Sequence, residues 1–240
     1  MIKHTSFHQF RPEITSEIAS KGWQDEIGPL VIDLPGVVRC VQNQVVMTTT
    51  NDGPVDDPPG FDGFTSLWWE DRASYLSAID SPQWKFMLAR SDEFMNSSWN
   101  SKHMSAEIEA RIKRVGMGAV DDGRSTPQGN PIKLIGLLKY RPDMTRDQAN
   151  TYWKTHHGAI ALCVSEMGHY VQNHAICGTG GFDPQNLGFD GYSEAWFSDF
   201  ATYQRAMASK EWSELVADGP ALFNMNAFLS GIVMERVLKN

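Results

Sequence analysis

Phe10-Arg11-Pro12-Glu13-Ile14-Thr15 returns, 130 residues later, as Tyr140-Arg141-Pro142-Asp143-Met144-Thr145. The same offset lays Trp23 on Trp153, Gly28 on Gly158 and Val41-Gln42-Asn43 on Val171-Gln172-Asn173. After a loop that is two residues shorter in the second copy, the offset becomes 128. Phe61-Asp62-Gly63 then meets Phe189-Asp190-Gly191, Trp68 meets Trp196, Tyr75 meets Tyr203 and Trp84 meets Trp212. Matches strung along one diagonal at a fixed period are the signature of an internal repeat. The chain therefore reads as a first module at 1–114, a linker at 115–130 and a second module at 131–240. Val115 to Pro131, the join, is rich in Gly, Asp, Ser and Pro and lacks apolar periodicity, as a surface linker does.

The second module is the clearer of the two. Ile132 to Tyr140 is a β-branched and leucine-rich run that predicts a strand, and Arg141-Pro142 ends it. Thr145 followed by Gln148 is a capping box. Ala149, Tyr152, Trp153, His156 and Ile160 then follow at helical spacing. A strand around His169 to Cys177, a loop through Gly178-Thr179-Gly180-Gly181 and a strand from Asp190 to Phe197 come next. Asp199 caps a second helix running to about Leu222, and Ala227 to Val237 alternates as a final half-buried strand. The order βαββαβ is the ferredoxin-like, split βαβ unit, an α+β fold. The first module gives the same order and ends in the alternating Met104-Ala106-Ile108-Ala110-Ile112. One such unit leaves a sheet face uncovered. Two fused units are expected to close their sheets face to face into an intramolecular dimeric α/β barrel with the helices outside.

A formal net charge of -8 argues against partnership with nucleic acid or an anionic membrane surface, because phosphate repels such a surface. No apolar run is long enough to span a bilayer, and Met1-Ile2-Lys3-His4-Thr5 lacks the apolar stretch of a signal peptide. Cys40, Cys163 and Cys177 form no paired framework, so they read as reduced thiols in a cytoplasmic protein, with Cys163 and Cys177 as buried small hydrophobes. Gly178-Thr179-Gly180-Gly181 lies between two strands rather than before a helix, which is not a dinucleotide fingerprint. The fused chain is expected as a monomer or as a homodimer of fused barrels.

Positions shared by both modules read as framework. Asp62-Gly63 and Asp190-Gly191 fit turns into strands, and Trp23, Trp68, Trp84, Trp153, Trp196 and Trp212 fit the core. Trp69 faces Phe197, while Trp99 has no counterpart. Three polar positions differ: His157 stands where the first module has Ile27, His174 where it has Gln44, and Glu194 where it has Ser66. His169 and Tyr170 likewise replace Arg39 and Cys40. Imidazole titrates near neutrality and a carboxylate can orient it, so a His/His/Glu set suits general acid–base chemistry. Period-2 geometry places Asp190, Tyr192, Glu194 and Trp196 on one face of their strand, and Tyr170, Gln172 and His174 on one face of its neighbour. If both faces point into the barrel, they form an aromatic-walled pocket with a few placed polar groups. The plain alternative is a buried, hydrogen-bonded His–Glu pair with His157 as a core histidine under Trp153. The equivalent loops 48–60 and 178–188 are placed to rim the barrel.

Three stretches of the second module also carry a resemblance: Trp153-Lys154-Thr155-His156-His157-Gly158, Tyr170-Val171-Gln172-Asn173-His174 and Phe189-Asp190-Gly191-Tyr192-Ser193-Glu194-Ala195-Trp196-Phe197. Together they resemble the EthD family of dimeric α/β-barrel proteins over most of 131–238, while 1–114 matches more weakly. The sequence departs from the family pattern at Ala159, where a proline is usual; the first module keeps Pro29 and lacks the histidine. Related barrels include cofactor-free cyclases, monooxygenases, isomerases and lyases as well as haem enzymes, so fold alone leaves the activity open. The resemblance and the polar asymmetry together lead to the expectation of a cofactor-independent lyase, dehydratase or isomerase acting on a small aromatic or polyketide-like molecule. His157 or His174 would be the base, Glu194 its partner and Tyr192 a donor, with Tyr170, His156, Trp196 and Asn173 as substrate contacts. No metal is expected, since no spacing demands one. The competing readings are a non-catalytic carrier of a hydrophobic metabolite and a haem- or metal-dependent oxygenase.

Overall fold

Each Arg-Pro pair stops a first strand, and the threonine after it opens a helix. Thr15 Oγ1 accepts the backbone N–H of Ile18, and Thr145 forms the full capping box with Gln148. Asp71 and Asp199, then Ser81 and Ser209, cap the later helices in the same way. The computed structural model describes residues 1–56, 60–96, 131–175 and 189–240, together with the backbone of 103–112. The expected linker at 115–130, Trp99, Cys177, Gly178 to Gly181 and the loop 178–188 lie outside the described residues.

The strands are β1 (Ile2–His8), β2 (Val37–Thr50), β3 (Gly53–Val55), β4 (Gly63–Trp69), β5 (His103–Ile112), β6 (Ile132–Leu138), β7 (His169–Ala175), β8 (Gly191–Phe197) and β9 (Leu229–Lys239). The helices are α1 (Ser16–Gly22), α2 (Gly28–Ile32), α3 (Arg72–Ile79), α4 (Pro82–Ser91), α5 (Arg146–Tyr152), α6 (Gly158–Ala161), α7 (Phe200–Met207) and α8 (Lys210–Leu222). A π turn joins α1 to α2 at Trp23–Ile27, and another joins α5 to α6 at Trp153–His157. The expected second helix of the second half is thus two helices, broken before Lys210, where Ser209 caps the second. Among the described residues, no helix is long and apolar enough to cross a membrane.

All pairing is antiparallel, in the order β3-β2-β4-β1-β5-β7-β8-β6-β9, and β9 pairs back onto β2 so that eight strands form a ring. Each half's last strand bonds to the other half: β5 to β7, and β9 to β2. The expected loop at 48–60 is partly strand, because β2 runs to Thr50 and turns into β3.

The inside of the ring is filled, as expected when eight strands close with just enough room for side chains. One end is apolar, with Phe7, Phe64, Ile135, Leu137 and Tyr192 packed together. The other end is charged. Glu194 accepts Lys3 Nζ at 2.6 Å, Lys133 Nζ at 2.5 Å and Asn173 Nδ2 at 3.0 Å. The lysines cross between halves: Lys3 also donates to Asn173 Oδ1, and Lys133 to Asn43 Oδ1 and Glu235 Oε1. Lys3 lies over the Trp68 and Tyr192 rings, and Lys133 over Phe64 and Trp196. The expected aromatic pocket inside the barrel is therefore absent among the described residues; its place is taken by paired charge.

The framework reading of the shared residues acquires a reason. Gln42 and Gln172 donate to the carbonyls of Trp23 and Trp153, holding each π turn at its first residue. Asp62 accepts the N–H of Phe10, and Asp190 that of Tyr140. Gly63 and Gly191 leave room for the tryptophans: a Cβ at Gly191 would stand 2.7 Å from the Trp153 ring and 2.6 Å from the Asn173 carbonyl. The six paired tryptophans are all buried, as are Trp69 and Phe197. Cys40 is buried, but Cys163 is exposed, which corrects its reading as a core residue: it follows α6, where the chain turns back along the surface.

Candidate active site

Register separates the residues that alternation alone had grouped. Across β7 and β8, Asn173 lies opposite Tyr192, Val171 opposite Glu194 and His169 opposite Trp196. These side chains share the inner face. Tyr170, Gln172 and His174 alternate with them and point to the helices, opposite Ala195, Ser193 and Gly191. His174 and Glu194 therefore stand on opposite sides of the sheet and cannot form an acid–base pair.

Glu194, Tyr192, Trp196 and Asn173 belong to the filled interior. Tyr192 Oη is 2.7 Å from Thr5 Oγ1, and Trp196 Nε1 donates to Glu235. Burial pushes the Tyr192 phenol well above its ordinary range, and the Glu194 charge adds to this. Burial would raise the Glu194 carboxyl, but Lys133 and Lys3 outweigh it and hold the group ionised well below the usual range. Lys3 is drawn down to about 8, chiefly by burial against the opposing pull of Glu194. Lys133, facing two carboxylates, is raised despite its burial.

His174 is part of the framework. Its Nδ1 is 3.0 Å from Asn150 Oδ1, its Nε2 is 3.0 Å from Gln172 Oε1, and its ring packs on Trp153 at 4.3 Å. The first half makes the equivalent contact with other residues: Gln44 accepts from Ser20, the counterpart of Asn150. A linkage kept through a change of both partners is a fastening.

His157 differs. It lies at the end of the π turn, 8% exposed, and lines a cavity of about 90 Å³ between the sheet and α8. A π turn is wider than an α turn. It brings the fourth residue after Trp153 under the helix instead of the third, so His157 is buried while the His156 side chain is 57% exposed. This corrects the helical stripe that had included His156. His157 Nδ1 is 2.7 Å from Asp218 Oδ2 on α8. The other carboxylate oxygen of Asp218 accepts Tyr152 Oη at 2.7 Å and lies 3.3 Å from His156 Nε2. His157 Nε2 has no hydrogen-bond partner among the described residues. Burial lowers the His157 pKa, and Asp218 partly restores it. The imidazole is thus neutral at pH 7, with Asp218 selecting the tautomer that leaves Nε2 as a base.

Small residues make the cavity's floor: Gly136 on β6, Ser193 and Ala195 on β8. Tyr170, Trp212, Phe223 and Phe228 give it aromatic walls. Ser193 Oγ, like His157 Nε2, has no partner among the described residues. In the first half the corresponding positions are Ser6, Thr65 and Leu67 under Ile27, and the space left there is about 20 Å³, room for a water or two. The volume difference follows directly from those exchanges.

Of the residues expected to form the site, then, His157 and Tyr170 line the cavity and His156 touches its carboxylate from outside. His174 fastens the helix, and the remaining four fill the barrel. Asp218 was missed. Its signal was available, because Asp218 replaces Arg90 and His156 replaces Glu26 at the same offsets. Arg90 and Glu26 form an ion pair in the first half, so the second half keeps the pairing with its charges reversed and adds His157.

An axial histidine for a haem needs a free nitrogen facing an open pocket, and both nitrogens of His174 are engaged. Among the described residues no group of three His, Cys, Asp or Glu side chains is placed to hold a metal ion.

An antiparallel α/β barrel with a polar-ended cavity under the helices of one half is the class that fold and geometry define. Solved structures agree on the fold. An anthrone oxidase-like protein aligns with a TM-score of 0.66 at 10% identity, covering 100% of this chain and 93% of that one. A protein from Fusobacterium nucleatum provisionally described as a monooxygenase gives 0.55 at 11% identity, covering 99% and 92%. A mutant chlorite dismutase from Candidatus Nitrospira defluvii gives 0.52 at 8% identity, covering 97% and 90%. Among curated proteins none matches the chain. Within it, residues 141–225 match the EthD domain family, and both His157 and Asp218 fall inside that segment.

Proposed function

We propose that the protein is a proton-abstracting enzyme whose active site is the cavity under α8. His157 is the base, Asp218 orients it, and Ser193 is the donor to substrate oxygen. One observation carries the reading: a buried imidazole lines an apolar cavity with Nδ1 fastened to a carboxylate and Nε2 unclaimed among the described residues. Among the described residues the lining holds no Lys or Arg and is largely apolar and aromatic, which favours a neutral, flat, largely apolar molecule with an acidified C–H or O–H: an aromatic or polyketide-like ketone or phenol. Nε2 takes the proton, and the electron pair passes to the carbonyl oxygen, which accepts a hydrogen bond from Ser193. The resulting enolate expels a β-leaving group in a lyase, or takes a proton back elsewhere in an isomerase. The same enolate, given dioxygen, would follow the course that the name anthrone oxidase-like suggests for a fold neighbour; product analysis under argon and under air separates the outcomes. The same reading makes the chain a tandem fusion of two ferredoxin-like modules, 1–114 and 131–240, in which one module keeps the chemistry.

The test is deuterium exchange and turnover of 1-tetralone and related aryl ketones by the wild type, His157→Asn and Asp218→Asn. A positioned base contributes on the order of 10²–10⁴-fold, so His157→Asn is expected to lose that factor with its fold intact. Asp218 holds the His157 pKa up, so in Asp218→Asn the base limb of the pH–rate profile moves to lower pH while the rate falls. Exchange that survives in His157→Asn refutes the assignment.

A further inference from the structure

The half that lacks the base still builds part of the cavity. β2 leaves its ladder with β4 after Gln44 and continues beside β9 as far as Thr49, opposite Ser230. It then turns through Asn51 and Asp52 into β3, and both Thr50 and Asn51 line the cavity that contains His157. The turn is stiff. Asp52 N–H donates to Thr50 Oγ1, which in turn donates to the Gly53 carbonyl, and Gly53 sits at φ +119°, a conformation that favours glycine. It is also tied to the second half at two places. Trp212 Nε1 on α8 donates to the Asn51 carbonyl at 3.3 Å, and the Thr49 and Ser230 hydroxyls meet at 2.7 Å. Trp212 is buried at this junction and is itself a wall of the cavity. The Asn51 side-chain amide has no partner among the described residues.

We propose that the β2–β3 turn of the first half, with Trp212 fastened against it, is the specificity element of the second half's site and sets the upper size of the aromatic ligand. This rests on the reading of the cavity as a ligand site, and it gives the first half a task that its own filled-in cavity cannot perform. A rigid turn tied to a rigid indole cannot yield to a longer ligand as a loose loop would, so the limit falls on length along the sheet. With about 90 Å³ beside the indole the cavity has little slack, so each fused ring added to a phenol presses harder on that wall.

The experiment measures dissociation constants of phenol, 1-naphthol and 9-phenanthrol by calorimetry for the wild type, Trp212→Phe, Trp212→Ala and His157→Asn. Wild type is expected to prefer 1-naphthol to 9-phenanthrol. Trp212→Phe keeps a ring but releases the turn, and narrows that preference about fivefold, as loss of one hydrogen bond does. Trp212→Ala removes the wall and narrows it at least tenfold, on the order of what one misfit group costs in an apolar pocket. If Trp212→Ala fails to fold, the Phe variant decides. A preference unchanged within twofold in folded variants overturns the inference, as does a wild type that binds 9-phenanthrol as tightly as 1-naphthol. His157→Asn should keep the wild-type preference, since size is judged elsewhere in the cavity. Its retaining turnover would overturn the choice of base alone, whereas a wild type that binds none of the three overturns the ligand class and this inference together.

Discussion

Replacing Glu194 by Gln separates the charged barrel interior from the cavity more sharply than any other single change. Glu194 is 2% exposed and is the only carboxylate paired with Lys3 among the described residues; Lys133 keeps Glu235 and Asn43. Removing one partner of a buried pair costs about 3–5 kcal/mol, because the other charge stays desolvated. Glu194→Gln is therefore expected to lose about 3–5 kcal/mol in denaturant unfolding followed by tryptophan fluorescence and circular dichroism. The sign with pH follows. Lys3 in the variant has a folded pKa well below its unfolded value, so between about 7 and 10.5 the unfolded chain gives up the proton that the folded one already lacks. The deficit against wild type should then shrink as pH rises to about 8 and stay level above it, because there the wild-type Lys3 has lost its proton as well. Adding Lys3→Met removes the orphaned charge and should recover on the order of 2 kcal/mol. Turnover per folded molecule should hardly change. A Glu194→Gln protein destabilised by less than about 1 kcal/mol, or one that folds normally but loses turnover a hundredfold, would refute this account and return Glu194 to the catalytic set.

Other outcomes follow from the same comparison of halves. His174→Gln, which copies Gln44, should cost no more than about 1 kcal/mol and leave turnover in place, as measured by thermal melting and steady-state rates. Ala195→Leu, which copies Leu67, should fill the cavity floor and abolish calorimetric binding of 1-naphthol while the melting temperature holds or rises. His8 is buried with Nε2 unpaired among the described residues, and burial draws its pKa down to about 3. Below the unfolded value of 6.5 the unfolded chain binds a proton that the folded chain refuses. Stability should therefore fall as pH drops from 6.5 toward 3, by at most about 1.4 kcal/mol per unit from this group. His8→Leu, which copies Leu138, should flatten that part of the slope, and urea midpoints taken at half-unit steps would show it.

The internal repeat carried most of what sequence alone determined about this chain. Tryptophan, Asp-Gly and Gln-Asn recur because each has a local task that any copy of the unit must perform: filling the core, making room for it, or holding the π turn. Such tasks depend on near neighbours, so they leave a periodic trace. The exchange of Ile27 for His157 was legible for the same reason, and so were the strand and helix order and the EthD resemblance. Which face a strand turns inward was not legible. Alternation groups Tyr192 with Glu194, and Tyr170 with His174, but it cannot say whether the two groups share a side. That is fixed by the register of β7 against β8, where a shift of one residue moves every side chain to the other face. The same holds for Asp218, which reaches His157 from 61 residues away through the packing of α8 on the sheet. It holds too for the lysines of β1 and β6, which converge on Glu194 only because the ring closes. Local chemistry is written along the chain; the pairing of a base with its carboxylate is decided where distant segments meet.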